Sequence, residues 1–429
     1  MSRHQNGMAT ASGRRAALAQ AVASGRTLLI ISQVYVPDPA AVGQHVADAA
    51  EEMARRGWRV VVYAANRGYE DPSVRYPGRE CRNGVDVRRL PLSSFGKSSI
   101  AVRLIAQMLF LAQSMAYGLF QRRLGAVLVS TSPPMAGIAG AVISKVRGAP
   151  LLWWVMDLNP DQLVAAGRIA SGSLLVRFFD WMNRLTLRQA TRIVVLDRFM
   201  KDRVIAKAPV QDKIEIIPPW PHDDDLTAPS SASDAFRATH RLQNKFVVMY
   251  SGNHSPHNPL DTLLAASQRL AEDDRIRFVF IGGGAAKGDV DRLVAAGARN
   301  VVSLPYQPKQ MLGSTLTAAD IHVVSIGDGM VGIIHPCKIY GAMAIGRPIL
   351  LFGPPSCHAA DIMQGHTLGW HVRHGDLEGT IHAIQAASRL DGTQLRDVGD
   401  RCRSIATRQF SRRALLARFC DLLQPAGPR

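Results

Sequence analysis

The chain has 429 residues, 47% hydrophobic and 20% charged, and a formal net charge of +17. That length suits two or three domains, and the apolar content is ample for their cores. Its five cysteines, Cys81, Cys337, Cys357, Cys402 and Cys420, are scattered and lack CxxC spacing. This excludes a disulfide framework and a zinc site and points to a reducing cytoplasm.

The charge is uneven: residues 1–227 hold 29 Lys and Arg against 18 Asp and Glu, and the remainder 22 against 16. Such a chain attracts polyanions, whether anionic lipid, phosphorylated small molecules or nucleic acid. The basic residues are dispersed and no recognition motif accompanies them, so nucleic acid fits least.

Residues 1–25 carry basic residues but no apolar h-region, and read as an extension rather than a cleaved secretory signal. From Thr27 the pattern alternates. "TLLIISQVYVP" predicts a buried strand, "GQHVADAAEEMARRGWRV" a helix stopped at Gly57, and "RVVVYAA" a second strand. "AVLVSTSPP", "APLLWWVMDL" and "ATRIVVLD" continue the alternation, which predicts a parallel, doubly wound sheet over 26–220.

Between them, "SIAVRLIAQMLFLAQSMAYGLF", Ser99 to Phe120, has transmembrane length. Arg103, Gln107 and Ser114 fall on one helical face, which favours a buried or groove-lining helix of the first domain over a span. Lys97, Arg122 and Arg123 flank it, so an interfacial membrane helix stays open as the alternative.

Residues 221–240, rich in Pro, acids and small polar residues, read as a linker. "PHDDDL", Pro221 to Leu226, lies inside it and reads as a solvated hinge rather than an Asp-x-Asp metal motif. A second α/β series follows over 241–400, and residues 401–429 close the chain with a basic amphipathic helix. Two Rossmann-like halves facing across a cleft would bind ligands at the carboxyl ends of their strands.

Four stretches carry chemistry. "FVFIGGGAAKGDV" sets Gly282, Gly283 and Gly284 between a strand and a helix, where backbone amides can approach a phosphate. It is neither GxGxxG nor a P-loop, and a tight strand–helix turn would look the same. "MYSGNHSPHNPLDTLL" repeats that form at Gly252 and Asn253. His254 and His257 there lack a third ligand and read as turn or cleft residues.

"LLWWVMDLNPDQL" puts Asp157 and Asp161 just past a strand, in position for proton transfer or hydroxyl binding. Asp161 would serve equally as a first-turn helix residue. In "HPCKIYGAMAIGRPIL", Lys338 falls in the first turn of a predicted helix, unfavourable against the dipole unless an anion lies there. With the loop "GDGMVGII" before it, Lys338 makes a candidate diphosphate clamp.

Taken in order, "SGN", "FIGGG", "LPYQP", "HPCKIYGAMAIGRPIL" and "HGDLEGTIHAI" resemble the donor-binding half of GT-B glycosyltransferases of family 4, closest to the bacterial exopolysaccharide and colanic-acid branch. "QVYVPDPAAVGQHVADAAEEMARRGWRVVVYA", "TSPPMAGIAGA", "DLNPDQ" and "IVVLDRFMKDRV" resemble that branch's acceptor-side motifs. The resemblance covers about Thr27 to Leu423.

It implies an α/β GT-B fold and a retaining, metal-independent transfer from a nucleoside-diphosphate sugar, with no cofactor. The implied acceptor is a polyprenyl-diphosphate-linked glycan at the cytoplasmic membrane, with the protein peripheral on its inner face. Gly252, Asn253, Gly282, Gly283, Tyr306, Gly332 and Lys338 would bind donor. Asp157 and Asp161 would be catalytic, and Gly43 and His45 would lie on the acceptor side. Two departures stand out: Ile333 and Gly341 occupy the positions of the family's glutamate pair, and Asn253, His254 and Ser255 stand near its basic pair. A GT-B nucleotide-sugar epimerase and a non-catalytic nucleotide-sugar-binding subunit remain as alternatives.

Overall fold

The computed structural model describes residues 25–38, 40–68, 71–93, 100–221 and 230–424. It forms two compact units, one running to Pro218 and resuming at Arg413, the other spanning Pro219–Arg412. Both are α/β.

The first unit holds β1 Thr27–Ile31, β2 Arg59–Ala65, β3 Arg79–Arg82, β4 Val85–Leu90, β5 Leu124–Ser130, β6 Leu151–Trp154, β7 Arg192–Val195 and β8 Ile214–Ile216, in the order β3-β4-β2-β1-β5-β6-β7-β8. Only β3 runs antiparallel, against β4. Every residue of β1 and β6 is buried. Strands covered on both faces read as unbroken apolar runs, which is why the sequence pattern showed them. The winding reverses between β1 and β5, whose outgoing loops are stitched together. Ser130 Oγ donates to Ser32 Oγ at 3.0 Å, and the Gln33 amide donates to the Ser132 carbonyl at 2.6 Å.

The second unit holds β9 Phe246–Ser251, β10 Ile276–Ile281, β11 Val301–Leu304, β12 Ile321–Ser325, β13 Ile349–Phe352 and β14 Gly369–Val372, all parallel, in the order β11-β10-β9-β12-β13-β14. Its reversal falls between β9 and β12. Loops leaving two neighbouring strands at such a point diverge to opposite faces of the sheet and leave room for a ligand. The segments after Ser251 and Ser325 are those loops.

Three sequence expectations meet the structure differently. Of 221–240, residues 222–229 lie outside the described residues, taking His222 to Leu226 of "PHDDDL" with them, and Ser230–Thr239 is a helix of the second unit. At the chain's end, Gly392–Gln409 is a helix of the second unit, whereas the helix Arg412–Asp421 packs in the first. There the Phe419 ring sits 4.1 Å from that of Trp154, and Arg56 pairs with Asp421 at 2.8 Å.

The third concerns helix Ile100–Leu119. Ser114 is fully buried and Gln107 half-buried, while Leu104, Ile105 and Met108 face outward. The polar stripe therefore turns inward, because Gly118 lets this helix close against Ile143 of the helix Ala136–Arg147. The side chain of Arg103 and all of Lys97 lie outside the described residues.

Candidate active site

In the second unit, three glycines build a floor at the carboxyl ends of β9 and β10. Gly252 (φ +134), Gly282 (φ +125) and Gly284 (φ +124) adopt backbone conformations that L side chains rarely adopt. Space excludes side chains as well: a Cβ on Gly282 would strike the Gly252 carbonyl oxygen, and one on Gly284 would strike Asn253 Oδ1 and the His254 carbonyl. The two loops are bonded together, with the Gly252 amide donating to the Ile281 carbonyl at 2.9 Å and the His254 amide to the Gly283 carbonyl at 2.7 Å. Tyr306 lies against the floor, 3.2 Å from where a Gly283 Cβ would stand.

Lys338 comes to the same place from the far side of the sheet's reversal point. It is the first residue of a seven-residue helix, Lys338–Ala344, too short for its dipole to decide much. Gly252 makes room for it: a Cβ there would lie 2.5 Å from Lys338 Cε. The Nζ sits 4.9 Å from the centre of the Tyr250 ring, and the Tyr250 hydroxyl donates to the Asn253 carbonyl at 2.8 Å. Burial pushes the ammonium down to about 8, and among the described residues it has no carboxylate partner. Nearby Lys287 is spent differently, donating to the carbonyls of Phe280 at 2.8 Å and Leu304 at 3.1 Å. A desolvated, unpaired cation above a floor of glycine backbone is suited to an anion.

His254 fills the space beneath. It has no solvent exposure and both ring nitrogens lack a partner. Burial, then repulsion from Lys287 and Lys338, pushes it down to about 4. His322, buried with Nε2 2.9 Å from the Leu316 carbonyl, is also pushed down to about 4 by burial. Both stay neutral in the folded protein, while their unfolded counterparts take up protons below about pH 6.5. The stability each contributes is therefore present above that pH and lost as pH falls toward 4. We expect each to cost roughly 2 kcal/mol between pH 7 and pH 5. Urea unfolding of the wild type, His254→Asn and His322→Asn at both pH values checks this; identical pH dependence in all three would contradict it.

The loop Gly327–Ile334 leads into Lys338. Gly332 takes φ +70, and the Gly327 amide donates to the His257 carbonyl at 2.9 Å. Ile333 is buried, whereas a Cβ on Gly341 would meet only Leu316 Cδ1, at 3.9 Å. Of the two positions at which the resemblance would place glutamates, one is thus filled with core and the other is open. Beside them, His335 Nε2, the Tyr340 hydroxyl and His358 Nε2 form a line with spacings of 2.7 and 2.9 Å. Sequence reading missed this line, and it missed the parts played by Tyr250 and His254. Only the fold brings His358 to a tyrosine eighteen residues earlier.

In the first unit, Asp157 follows β6 with its amide 3.2 Å from Thr131 Oγ1. Burial pushes its carboxyl up to about 6, and no described side chain pairs with it. Asp161 begins the helix Asp161–Ala165 and pairs with Lys207 Nζ at 2.8 Å, which also holds Asp180 at 2.7 Å. Gly43 packs against the backbone of Tyr35, and the ring of buried His45 lies 6.4 Å from that of Trp154. Among the described residues no group of three or more His, Cys, Asp or Glu side chains could hold a metal ion.

The model of the Glycosyl transferase 4-like domain matches residues 40–220. WbjE of Pseudomonas aeruginosa, named as a glycosyltransferase, is 25% identical over 308 residues, covering 71% of this chain and 75% of that protein. WcaI of Escherichia coli (strain K12), named for glycosyl transfer in colanic acid biosynthesis, is 24% identical over 333 residues, covering 74% and 81%. Among solved structures, Anabaena HepE with UDP and glucose superposes with a TM-score of 0.71 at 14% identity, covering 94% of this chain and all of that one. WaaG, a glycosyltransferase involved in lipopolysaccharide biosynthesis, gives 0.70 at 14% identity, covering 93% and 100%. That domain, those relatives and that fold together make the chain a glycosyltransferase of the GT-B fold, with a glycosyl transferase 4-like domain over residues 40–220.

Proposed function

We propose that the protein transfers a sugar, with retention and without a metal, from a nucleoside-diphosphate sugar to a polyprenyl-diphosphate-linked glycan in exopolysaccharide or cell-surface synthesis, while peripheral on the inner face of the cytoplasmic membrane. The observation that carries the donor reading is the unpaired Lys338 ammonium over the Gly252, Gly282 and Gly284 backbone. As the bond from the anomeric carbon to the leaving phosphate oxygen breaks, negative charge grows on the diphosphate, and a fixed cation and amides stabilise it there. Gly252, Asn253, Gly282, Gly283, Tyr306 and Gly332 shape the seat. HepE, which shares the fold, was solved with UDP and with UDP-glucose, so uridine nucleotides are the first donors to try.

Asp157, whose carboxyl is raised by burial and pairs with no described side chain, is assigned to orient the attacking acceptor hydroxyl, with Gly43 and His45 shaping the acceptor side. Asp161, held by Lys207, is the weaker candidate. Buried Ile333 and the empty space at Gly341 favour one second reading, a subunit that binds nucleotide sugar without transferring it. A transfer assay with a polyprenyl-diphosphate sugar, run in EDTA and followed by NMR of the anomeric proton, separates the readings. Retained configuration with undiminished rate is expected. Inversion, or loss of activity in EDTA, would overturn the corresponding part, and donor binding with no transfer would establish the second reading.

A further inference from the structure

The helix Leu174–Gln189 buries Val176, Met182, Thr186 and Leu187. Its opposite side presents Leu174 (81% exposed), Phe178 (51%) and Trp181 (55%), with the Phe178 and Trp181 rings stacked at 5.9 Å. Spacings of four and three put these on one stripe, where a helix bathed in water carries polar residues. Exposed Arg184 and Arg188 continue the stripe, and exposed Arg177 flanks it.

The apolar surface extends beyond this helix. Helix Ala136–Arg147 lies alongside, with Gly137 against Thr186 and Gln189 Nε2 donating to Ser144 Oγ at 3.4 Å, and it exposes Val142 and Val146. On its other side lies helix Ile100–Leu119, where Gly118 meets Ile143 and Arg147 donates to the Gln121 carbonyl at 3.0 Å; this helix exposes Leu104, Ile105 and Met108. Charge on this surface has one sign. Between Asp86 and Asp157 the sequence contains no Asp or Glu but includes Arg122, Arg123, Lys145 and Arg147. Asp180, on the first helix, is half-buried and pairs with Lys207, which it shares with Asp161.

We propose that this three-helix face docks the first unit on an anionic lipid bilayer, with Leu174, Phe178 and Trp181 entering the headgroup layer and Arg177, Arg184 and Arg188 on lipid phosphates. Apolar side chains flanked by arginines match that layer, since arginine stems lie along apolar matter while their heads stay at the phosphates. A second copy of the chain would set like charges against each other. Among the described residues no helix is long and apolar enough to cross a membrane, so the contact lies in the interface. The proposal deepens the membrane location given under the proposed function, and its test is independent of sugar transfer.

The full chain is sedimented with phosphatidylglycerol-containing vesicles and with phosphatidylcholine vesicles at low and high salt. Binding to the anionic vesicles that weakens with salt is expected, with Trp181 emission quenched by brominated lipid in the wild type and that component missing in Trp181→Phe. Leu174→Ser with Phe178→Ser should weaken vesicle binding by about tenfold or more and leave UDP binding unchanged. No binding to anionic vesicles, binding indifferent to the double variant, or a dimer that the double variant disrupts would overturn the proposal. Each of those results leaves nucleotide binding, and with it the transferase reading, as measured.

Discussion

Lys338→Ala is expected to lower turnover about a hundredfold while the fold survives. Removing one preorganised donor from a developing oxyanion typically costs about 3 kcal/mol of barrier. The substitution also removes a desolvated cation, so the variant should be no less stable than the wild type. A second signature follows from the protonation state. With the ammonium near 8 in the free protein, about half of the molecules are neutral at pH 8, and a diphosphate draws the proton back. Donor binding at pH 8 should therefore take up about half a proton, and affinity should decline as pH rises above 8. Calorimetric titration in buffers of different ionisation enthalpy measures the uptake. A wild type without it, or a Lys338→Ala variant with native turnover, would remove Lys338 from the diphosphate site.

Asp157→Asn is expected to move activity and stability in opposite directions. The carboxyl titrates near 6 because burial disfavours its charged form, so at pH 7 it is ionised at a cost to the folded state. Asparagine keeps the shape and removes the charge, which should raise the unfolding temperature. If the carboxylate orients the acceptor hydroxyl, kcat/KM should fall about a hundredfold. In the wild type kcat/KM should also fall as pH drops through about 6, where the carboxylate takes up its proton. A variant both stabilised and fully active would show that Asp157 has no part in transfer.

The sheets were legible in the sequence because a strand covered on both faces must be largely apolar, as β1, β6 and the buried middle of β9 show. The glycines after β9 and β10 were legible for a related reason, since few other residues can follow a strand into so tight a turn. The pairing of Gly252 with Lys338 was not legible. It depends on the order β11-β10-β9-β12-β13-β14, which sets the loops after β9 and β12 side by side although β10 and β11 intervene in the chain. Helix Ile100–Leu119 shows the opposite limit. Its periodicity identified two faces, but the neighbouring helix decided which face turns inward, and Gly118 allowed that neighbour to reach the polar side.

The central claim is that the Gly252, Gly282 and Lys338 constellation holds the diphosphate of a nucleotide sugar. Titrating UDP and UDP-sugars into the full-length wild type and Lys338→Ala, in EDTA, tests it most directly. Saturable binding to the wild type that weakens at least tenfold in the variant is the predicted result. Equal affinity in both proteins, or no binding by the wild type to any nucleoside diphosphate, would contradict the account.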